Sequence, residues 1–89
     1  MTPAEVNGVR TRLGLSQAQL AQLLGVHPLT VSKWERGLLV PTSHHVELLQ
    51  SFSRAGTAGK QIGNEVSNLL LTAGVAVALF AILKAAFDE

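Results

Sequence analysis

Three histidines and a few serines are the side chains in this sequence that could support metal binding or nucleophilic catalysis. His27 stands apart, whereas His44 and His45 are adjacent. Neighbours on a helix point about 100° apart, so this pair does not present two nitrogens to one ion. No nucleophile–base pair is recognisable, and Ser32 and Ser43 are interpreted as capping or surface residues. We therefore expect no enzyme, no metal site and no cofactor.

Cysteine is absent from the 89 residues, which excludes disulfides and thiolate zinc sites. Residues 1–60 carry six Lys or Arg and three Glu, whereas residues 61–89 carry one Lys and three acidic residues. A basic front half favours a polyanionic partner. The N-terminus lacks the pattern of a signal peptide, so we expect a cytoplasmic protein.

Turn signals divide the first 55 residues into helical segments, with no alternating pattern that would predict a strand. Capping boxes at Thr2–Glu5 and Ser16–Gln19 predict the starts of the first two helices. Pro28 opens a third helix, and a fourth follows with Thr42 or Ser43 as its cap. Glycines end the first three helices, at positions 14, 25 and 37. The expected fold class is all-α.

Residues 15–37 carry the most specific motif in the chain. Two helices of about eight residues are joined there by a tight turn at Gly25, and such a pair can lay its second helix in the major groove of DNA. Ala21 lets the two helices approach closely, and Val31 packs inward. The segments LSQAQLAQLLGV and VSKWERG resemble the lambda-repressor-like family (Cro and phage repressors, or XRE). The resemblance covers roughly residues 3–54 and implies a four-to-five-helix helix-turn-helix domain that binds double-stranded DNA.

The resemblance also implies which side chains face the bases. The matching positions lie in and just before the third helix: His27, Pro28, Leu29, Thr30 and Lys33. Lys33 can donate hydrogen bonds to guanine O6 or N7. Thr30 can form a hydrogen bond or touch a thymine methyl, and Leu29 can pack on that methyl. The third helix is therefore expected to carry sequence specificity.

Phosphate contacts and a scaffold pair complete the implied roles. The expected phosphate contacts are Gln17, Arg36 and Thr42. Arg10 and Glu35 match a family pair that forms a salt bridge between the first and third helices. Trp34 is interpreted as a core residue, because it lies one turn from Val31 on the inner face.

Two features depart from the pattern of the family. Pro28 and Leu29 stand where many relatives have hydrogen-bonding side chains, which favours readout of DNA shape over direct readout. Leu38, Leu39 and Val40 are apolar where relatives often place a phosphate contact. We expect these three residues to be buried against another subunit.

The chain after residue 55 differs in composition from the preceding part. Residues 56–60 are interpreted as a linker, and residues 61–89 predict one long apolar helix. From Val66 to Leu83 the sequence contains no charge. These 18 residues would span about 27 Å as a helix, just short of a bilayer core of ~30 Å. One hypothesis for this segment is therefore a tail anchor in the inner membrane.

The competing hypothesis is an oligomerisation helix. Apolar residues in this segment follow a four-three alternation, as in helices that pack together. They are Ile62, Val66, Leu69, Ala73, Ala76, Phe80, Leu83 and Phe87. The stripe passes Lys84 and continues into the polar stretch at 63–65, which a purely lipid-facing helix does not need.

Together these patterns predict a transcriptional regulator, with repression by a homodimer or higher oligomer on an inverted repeat as the favoured role. The DNA-binding domain is expected at residues 1–55, the linker at 56–60, and the oligomerisation or membrane-anchoring helix at 61–89. Two other functions stay open: a membrane-tethered DNA-binding protein, and an antitoxin-like regulator that binds a partner protein. The expected location is the nucleoid, with inner-membrane tethering as the alternative.

Overall fold

Residues 1–57 and 63–87 are the part of the chain that the computed structural model describes, and their regular structure is entirely helical. The helices are α1 (Pro3–Arg12), α2 (Gln17–Leu24), α3 (Pro28–Glu35), α4 (Ser43–Thr57), α5 (Gly63–Thr72) and α6 (Val75–Phe87). The all-α class is confirmed, and α1 to α4 lie where the turn signals predict them. Of the predicted linker, residues 56–57 end α4, and residues 58–60 lie outside the described ranges.

Both predicted capping boxes are formed. At α1, Thr2 Oγ1 accepts from the Glu5 amide at 3.1 Å, and the Thr2 amide donates to Glu5 Oε1 at 2.8 Å. At α2, Ser16 Oγ accepts from the Gln19 amide at 3.1 Å, and the Ser16 amide donates to Gln19 Oε1 at 2.9 Å. Each box satisfies two amide donors that the first turn of a helix leaves without a partner, which fixes where α1 and α2 begin.

The turn between α2 and α3 depends on one glycine. Gly25 has φ +70°, in the left-handed region, and the amide of Val26 donates to the Ala21 carbonyl oxygen at 3.0 Å. This pattern satisfies carbonyls at the end of α2 and turns the chain sharply. A Cβ at position 25 would meet no atom within 4 Å, so the need for glycine is conformational rather than steric.

We expect Gly25→Ala to lower the free energy of unfolding by about 1–2 kcal/mol, because alanine is strained in the left-handed region. Gly8→Ala is the matched control, since Gly8 lies inside α1 and its new Cβ would meet only the mobile end of Arg12. That control should stabilise the fold by about 0.5–1 kcal/mol. Urea denaturation measures the free energy of unfolding of both variants. If both substitutions change it in the same direction by the same amount, the left-handed conformation assigned to Gly25 is contradicted.

α1 to α4 enclose an apolar core to which each helix contributes one face. Its buried side chains include Val6, Val9, Leu13, Leu20, Ala21, Leu24, Val31, Trp34, Leu49 and Phe52. Trp34 is 2% exposed, which confirms its interpretation as a core residue. Its indole lies 5.3 Å from the His45 ring, measured between centroids, so the inner face of α3 packs against the start of α4. The core therefore holds α3 by one face and leaves the opposite face outward.

The prediction of one long apolar helix after residue 60 is wrong. The described chain instead forms two helices, α5 and α6, separated at Ala73 and Gly74. Gly74 has φ +94°, and the amides of Ala73 and Gly74 both donate to the Leu69 carbonyl oxygen at 2.8 Å. These bonds end α5, and the glycine then redirects the chain. The turn lets α6 pack on both α4 and α5, which buries apolar surface within the chain.

The predicted four-three stripe is consequently not one continuous face. Val66 is fully buried, and Leu69 and Leu83 are half-buried against the core of the same chain. Ala73, in the turn itself, and Ala76 and Phe80, on α6, are exposed. Ile62 and the side chain of Phe87 lie outside the described residues. A straight helix would align these positions, but the turn at Gly74 divides them between two helices, and within α6 Leu83 packs against the core while Ala76 and Phe80 do not.

The C-terminal pair of helices packs against the first four through buried contacts and one polar contact. Ala78 and Ile82 of α6 are fully buried, and α6 lies against α4 and α2. Gln19 Nε2 donates to Ser67 Oγ at 3.0 Å, so the glutamine of the α2 capping box also contacts α5. Within residues 1–57 and 63–87, none of the helices is both long and apolar enough to cross a membrane.

Candidate nucleic-acid interface

The outward face of α3 carries the side chains predicted to read bases. Leu29 is 50% exposed, Lys33 is exposed and Thr30 is half-buried. On a helix of 3.6 residues per turn, these three lie within about 100° of one another. Val31 and Trp34 point to the opposite side, into the core. The structure therefore brings an ammonium, a hydroxyl and an apolar side chain to one surface of a firmly packed helix.

His27 and Pro28 form the start of α3. His27 is the N-cap, and its Nδ1 accepts from the Leu29 amide at 3.0 Å. Pro28 occupies the first helical position, where an amide hydrogen would have had no partner within the helix. The His27 carbonyl oxygen also accepts from the Thr30 amide at 2.9 Å. Both residues are exposed beside Leu29, Thr30 and Lys33. The capping role of His27 was not indicated by its position in the sequence.

The three predicted phosphate contacts stand at ends of three helices. Gln17 is the first residue of α2, Arg36 is the C-cap of α3, and Thr42 precedes α4. Arg36 is exposed, and its Nε donates to the Ser32 carbonyl oxygen at 3.4 Å, which leaves most of the guanidinium facing solvent. Cationic groups and helix N-termini are suitable partners for phosphate oxygens.

Thr42 has a capping role in the free protein. Its Oγ1 accepts from the His45 amide at 3.3 Å and lies 2.9 Å from His45 Nδ1. The hydroxyl thus satisfies a donor in the first turn of α4. A phosphate contact by the Thr42 hydroxyl would have to compete with the His45 ring.

Glu35 is the centre of a hydrogen-bonded network that joins α1, α2 and α3. Arg10 Nε lies 2.7 Å from Glu35 Oε2, and Arg10 Nη2 donates to Oε1 at 2.9 Å. Asn7 Nδ2 donates to the same Oε1 at 2.8 Å, and Gln17 Nε2, in its side chain, donates to it at 3.5 Å. Arg10 also donates to the Leu15 carbonyl oxygen at 2.9 Å. Arg10 therefore forms the salt bridge that the resemblance implies and holds the loop before α2.

The network changes the protonation equilibria of its charged members. Hydrogen bonds from Arg10 lower the pKa of the Glu35 carboxyl below its ordinary value of 4.5, and bonds from Asn7 and Gln17 act in the same direction. Glu35 in turn raises the pKa of the Arg10 guanidinium. The pair stays charged at neutral pH, with side-chain exposures of 16% for Arg10 and 6% for Glu35. Arg10 thus has a structural role in joining α1 to α3.

Two parts of this network were missed by sequence reasoning. Asn7 is 28 residues away from Glu35, and the Leu15 carbonyl belongs to a loop backbone. A polar residue one helical turn before Arg10 is only weak evidence for a contact with Glu35, because most such residues are solvated. Only the packing of α1 beside α3 shows that Asn7 and Arg10 share one carboxylate.

The loop after α3 exposes the three apolar residues that departed from the family pattern. Leu38 is 65% exposed, Leu39 47% and Val40 77%. Gly37 has φ +75°, and the Leu38 amide donates to the Lys33 carbonyl oxygen at 2.9 Å, which ends α3 in the same way as Gly25 ends α2. That Leu38, Leu39 and Val40 are buried against another subunit stays a prediction.

Comparison with known families identifies the same part of the chain. A family model described as helix-turn-helix matches residues 9–52, from the second half of α1 into α4. The match contains α2, the Gly25 turn and α3, together with most of the Glu35 network. No curated protein and no solved structure matches the chain.

Proposed function

Because residues 9–52 belong to the lambda-repressor-like helix-turn-helix family, we propose that this DNA-binding regulator is a transcriptional repressor that reads an inverted repeat through α3. The two faces of α3 are the main support for this proposal. Val31 and Trp34 anchor one face in the core, while Leu29 and Lys33 stand outward. A helix held in this way can enter the major groove without losing its packing.

Affinity and specificity are assigned to different side chains. Gln17 and Arg36 would contact phosphates, which gives binding that weakens as salt rises. Lys33 would donate to guanine, and Leu29 would pack on a thymine methyl. With few hydrogen-bonding groups on α3, sequence-dependent DNA shape supplies part of the specificity.

Repression on an inverted repeat requires two copies of the chain. A two-fold dimer would present its two α3 helices about 34 Å apart, which is one turn of DNA. Occupancy of such a site where it overlaps a promoter would block access of the polymerase, so repression of this kind needs neither catalysis nor a cofactor. The protein would act at the nucleoid, where its sites are.

Lys33→Ala tests the assignment of α3. We expect it to weaken binding to a DNA site selected from a random pool by about 1–3 kcal/mol, with little effect on random DNA. Arg36→Ala is the matched control, because it also removes one exposed cation. This control should weaken both DNAs alike and reduce the salt dependence by about one phosphate contact. Equal losses by Lys33→Ala on both DNAs would make Lys33 a backbone contact only.

A further inference from the structure

The imidazole of His27 has one nitrogen turned toward α3 and the other turned away from it. Its Nδ1 accepts from the Leu29 amide at 3.0 Å. Because a backbone amide can only donate, Nδ1 carries no hydrogen, and in a neutral imidazole the hydrogen then lies on the other nitrogen. The cap therefore fixes the ring in the tautomer with a hydrogen on Nε2, on the side of the ring that faces away from the start of the helix.

The ring of His27 supplies a donor where the backbone of α3 offers none. Pro28 has no amide hydrogen, and the Leu29 amide is bonded to the His27 ring. The Thr30 amide donates to the His27 carbonyl oxygen at 2.9 Å. Within residues 1–57 and 63–87, by contrast, Nε2 of His27 has no hydrogen-bond partner, and the side chain is exposed. The first turn of α3 thus presents a ring N–H to an approaching ligand.

Pro28 holds His27 in the backbone conformation that the cap requires. A residue before proline is restricted to extended conformations, and His27 has φ −73° and ψ 145°. An N-cap residue needs the same region of backbone conformation. Although Pro28 offers DNA no hydrogen-bonding side chain, it therefore limits the positions from which the His27 ring can meet DNA.

We propose that the capped His27 is a specificity-determining residue whose Nε2 donates to a guanine in each half-site. The N-terminal residues of a recognition helix contact base edges in the major groove. Guanine presents two neighbouring acceptors there, N7 and O6, whereas the N4 amino group of cytosine would face the ring donor to donor. Adenine has an amino donor beside its N7, and thymine has a methyl group beside its O4, so both suit a lone donor less well. The inference rests on the proposed function, since it requires α3 to lie in the groove.

The cap is what makes the ring selective. An uncapped neutral histidine can turn either its donor or its acceptor toward DNA, so it can accept from the amino group of cytosine or adenine as well as donate to guanine. The bond from the Leu29 amide occupies the acceptor of His27. Only the donor remains, and the bases with an amino group at the contacted position are rejected.

His27 and Lys33 contact different base pairs in this arrangement. Lys33 lies six residues further along the chain, which is about 9 Å along the helix. Successive base pairs of DNA are only ~3.4 Å apart. Each of the two side chains should therefore determine the preferred base at its own position of the half-site.

The tautomer of His27 can be measured in the full chain without DNA. ¹⁵N NMR at about pH 8, where an ordinary histidine is neutral, distinguishes a ring nitrogen that carries a hydrogen from one that does not. We expect a hydrogen on Nε2 and none on Nδ1, with the signals assigned by their loss in His27→Ser. A hydrogen on Nδ1 would overturn the proposal.

His27→Ser tests the contact itself, because serine is also a good N-cap residue but lacks the ring. In selection from a random pool, this variant should lose the guanine preference at one position of each half-site and keep the preference that Lys33 determines. Exchanging that G·C pair for C·G should weaken binding of the unmodified chain about 5- to 10-fold, as expected for one hydrogen bond. Binding of His27→Ser should change less than about 2-fold. Equal losses for both chains would overturn the proposal.

His44→Ser is the matched control, because it also removes one exposed imidazole but lies on α4. It should leave every base preference unchanged, and circular dichroism checks that both variants are folded. If His27 instead contacts a phosphate, His27→Ser weakens binding to all sequences alike, which would overturn the proposal. An enriched sequence whose guanine preference survives His27→Ser contradicts the inference alone. The absence of any enriched sequence contradicts the proposed function and, with it, base reading by His27.

Discussion

Replacing Glu35 by glutamine should lower the free energy of unfolding at neutral pH by about 1.5–3 kcal/mol. The change removes the negative charge that lies 2.7 Å from Arg10 and leaves a half-buried guanidinium without a counter-charge. The cost is below that of breaking a fully buried pair, because Arg10 is 16% exposed and keeps some access to water. Chemical denaturation at pH 7 measures the loss.

The pH dependence of stability provides a second readout of the same contact. The pKa of Glu35 is lowered on folding, so its contribution is complete above the ordinary value of 4.5 and is lost as pH falls through the lower, folded value. Glu35 raises the pKa of Arg10, and this group does not titrate in the acid range. The difference between the unmodified chain and Glu35→Gln should therefore shrink below about pH 4.5.

Glu5→Gln is the control for that experiment. Glu5 is exposed and its pKa is also lowered, chiefly by the Thr2 amide, but glutamine can keep the capping box. Its stability at pH 7 should stay close to that of the unmodified chain. A Glu35→Gln variant that is as stable as Glu5→Gln would show that the network does not hold α1 and α3 together.

Ile82→Ala should destabilise the whole chain by about 2–5 kcal/mol, because Ile82 is fully buried and its truncation leaves a cavity. The prediction depends on α6 being packed against α4 within one molecule. If α6 instead projected away from α1–α4, into a membrane or an oligomer, the substitution would not lower the free energy of unfolding of these four helices. Hydrogen exchange of α4 amides during urea titration shows whether the domain itself is affected.

Leu71→Ala is the matched control for Ile82→Ala. Leu71 lies on α5 and is 85% exposed, so the same loss of side chain opens no cavity. Its effect should be within about 0.5 kcal/mol. Destabilisation of α5 and α6 by Ile82→Ala with α4 unchanged would contradict the packing of α6 on α4.

The first four helices were predictable because their ends depend on local signals. The capping boxes at Thr2 and Ser16 and the left-handed glycine at position 25 act over three to five residues, and each forms the contact that its type requires. The outward position of Lys33 follows from the buried pair Val31 and Trp34 on the opposite side of α3. These features need no knowledge of distant contacts.

The C-terminal segment could not be predicted in the same way. Hydropathy indicates that a helix is buried but does not indicate by what, and lipid, a second copy and the chain's own core are equally apolar. Gly74 lies inside the apolar run that predicted one helix, yet its φ of +94° makes it the turn between α5 and α6. A lone glycine in an apolar run is an ambiguous signal, because a helix tolerates it at about 1 kcal/mol.

The candidate site shows the same division between local and distant information. Resemblance to a family identified Arg10 and Glu35, but Asn7 joins their network through the packing of α1 on α3. The bond from Gln19 to Ser67 likewise joins α2 to a helix 48 residues further along the chain. Such contacts depend on the tertiary arrangement, which no short motif encodes.

The sequences of DNA fragments that the full chain retains from a random pool show whether α3 reads bases. We expect an enriched inverted repeat, with half-sites centred about one helical turn apart. We also expect that replacing Lys33 alters the preferred base at one fixed position of each half-site. Retention of DNA without any enriched sequence, or an unchanged sequence after replacing Leu29, Thr30 and Lys33 together, would contradict the assignment of α3 as the reading helix.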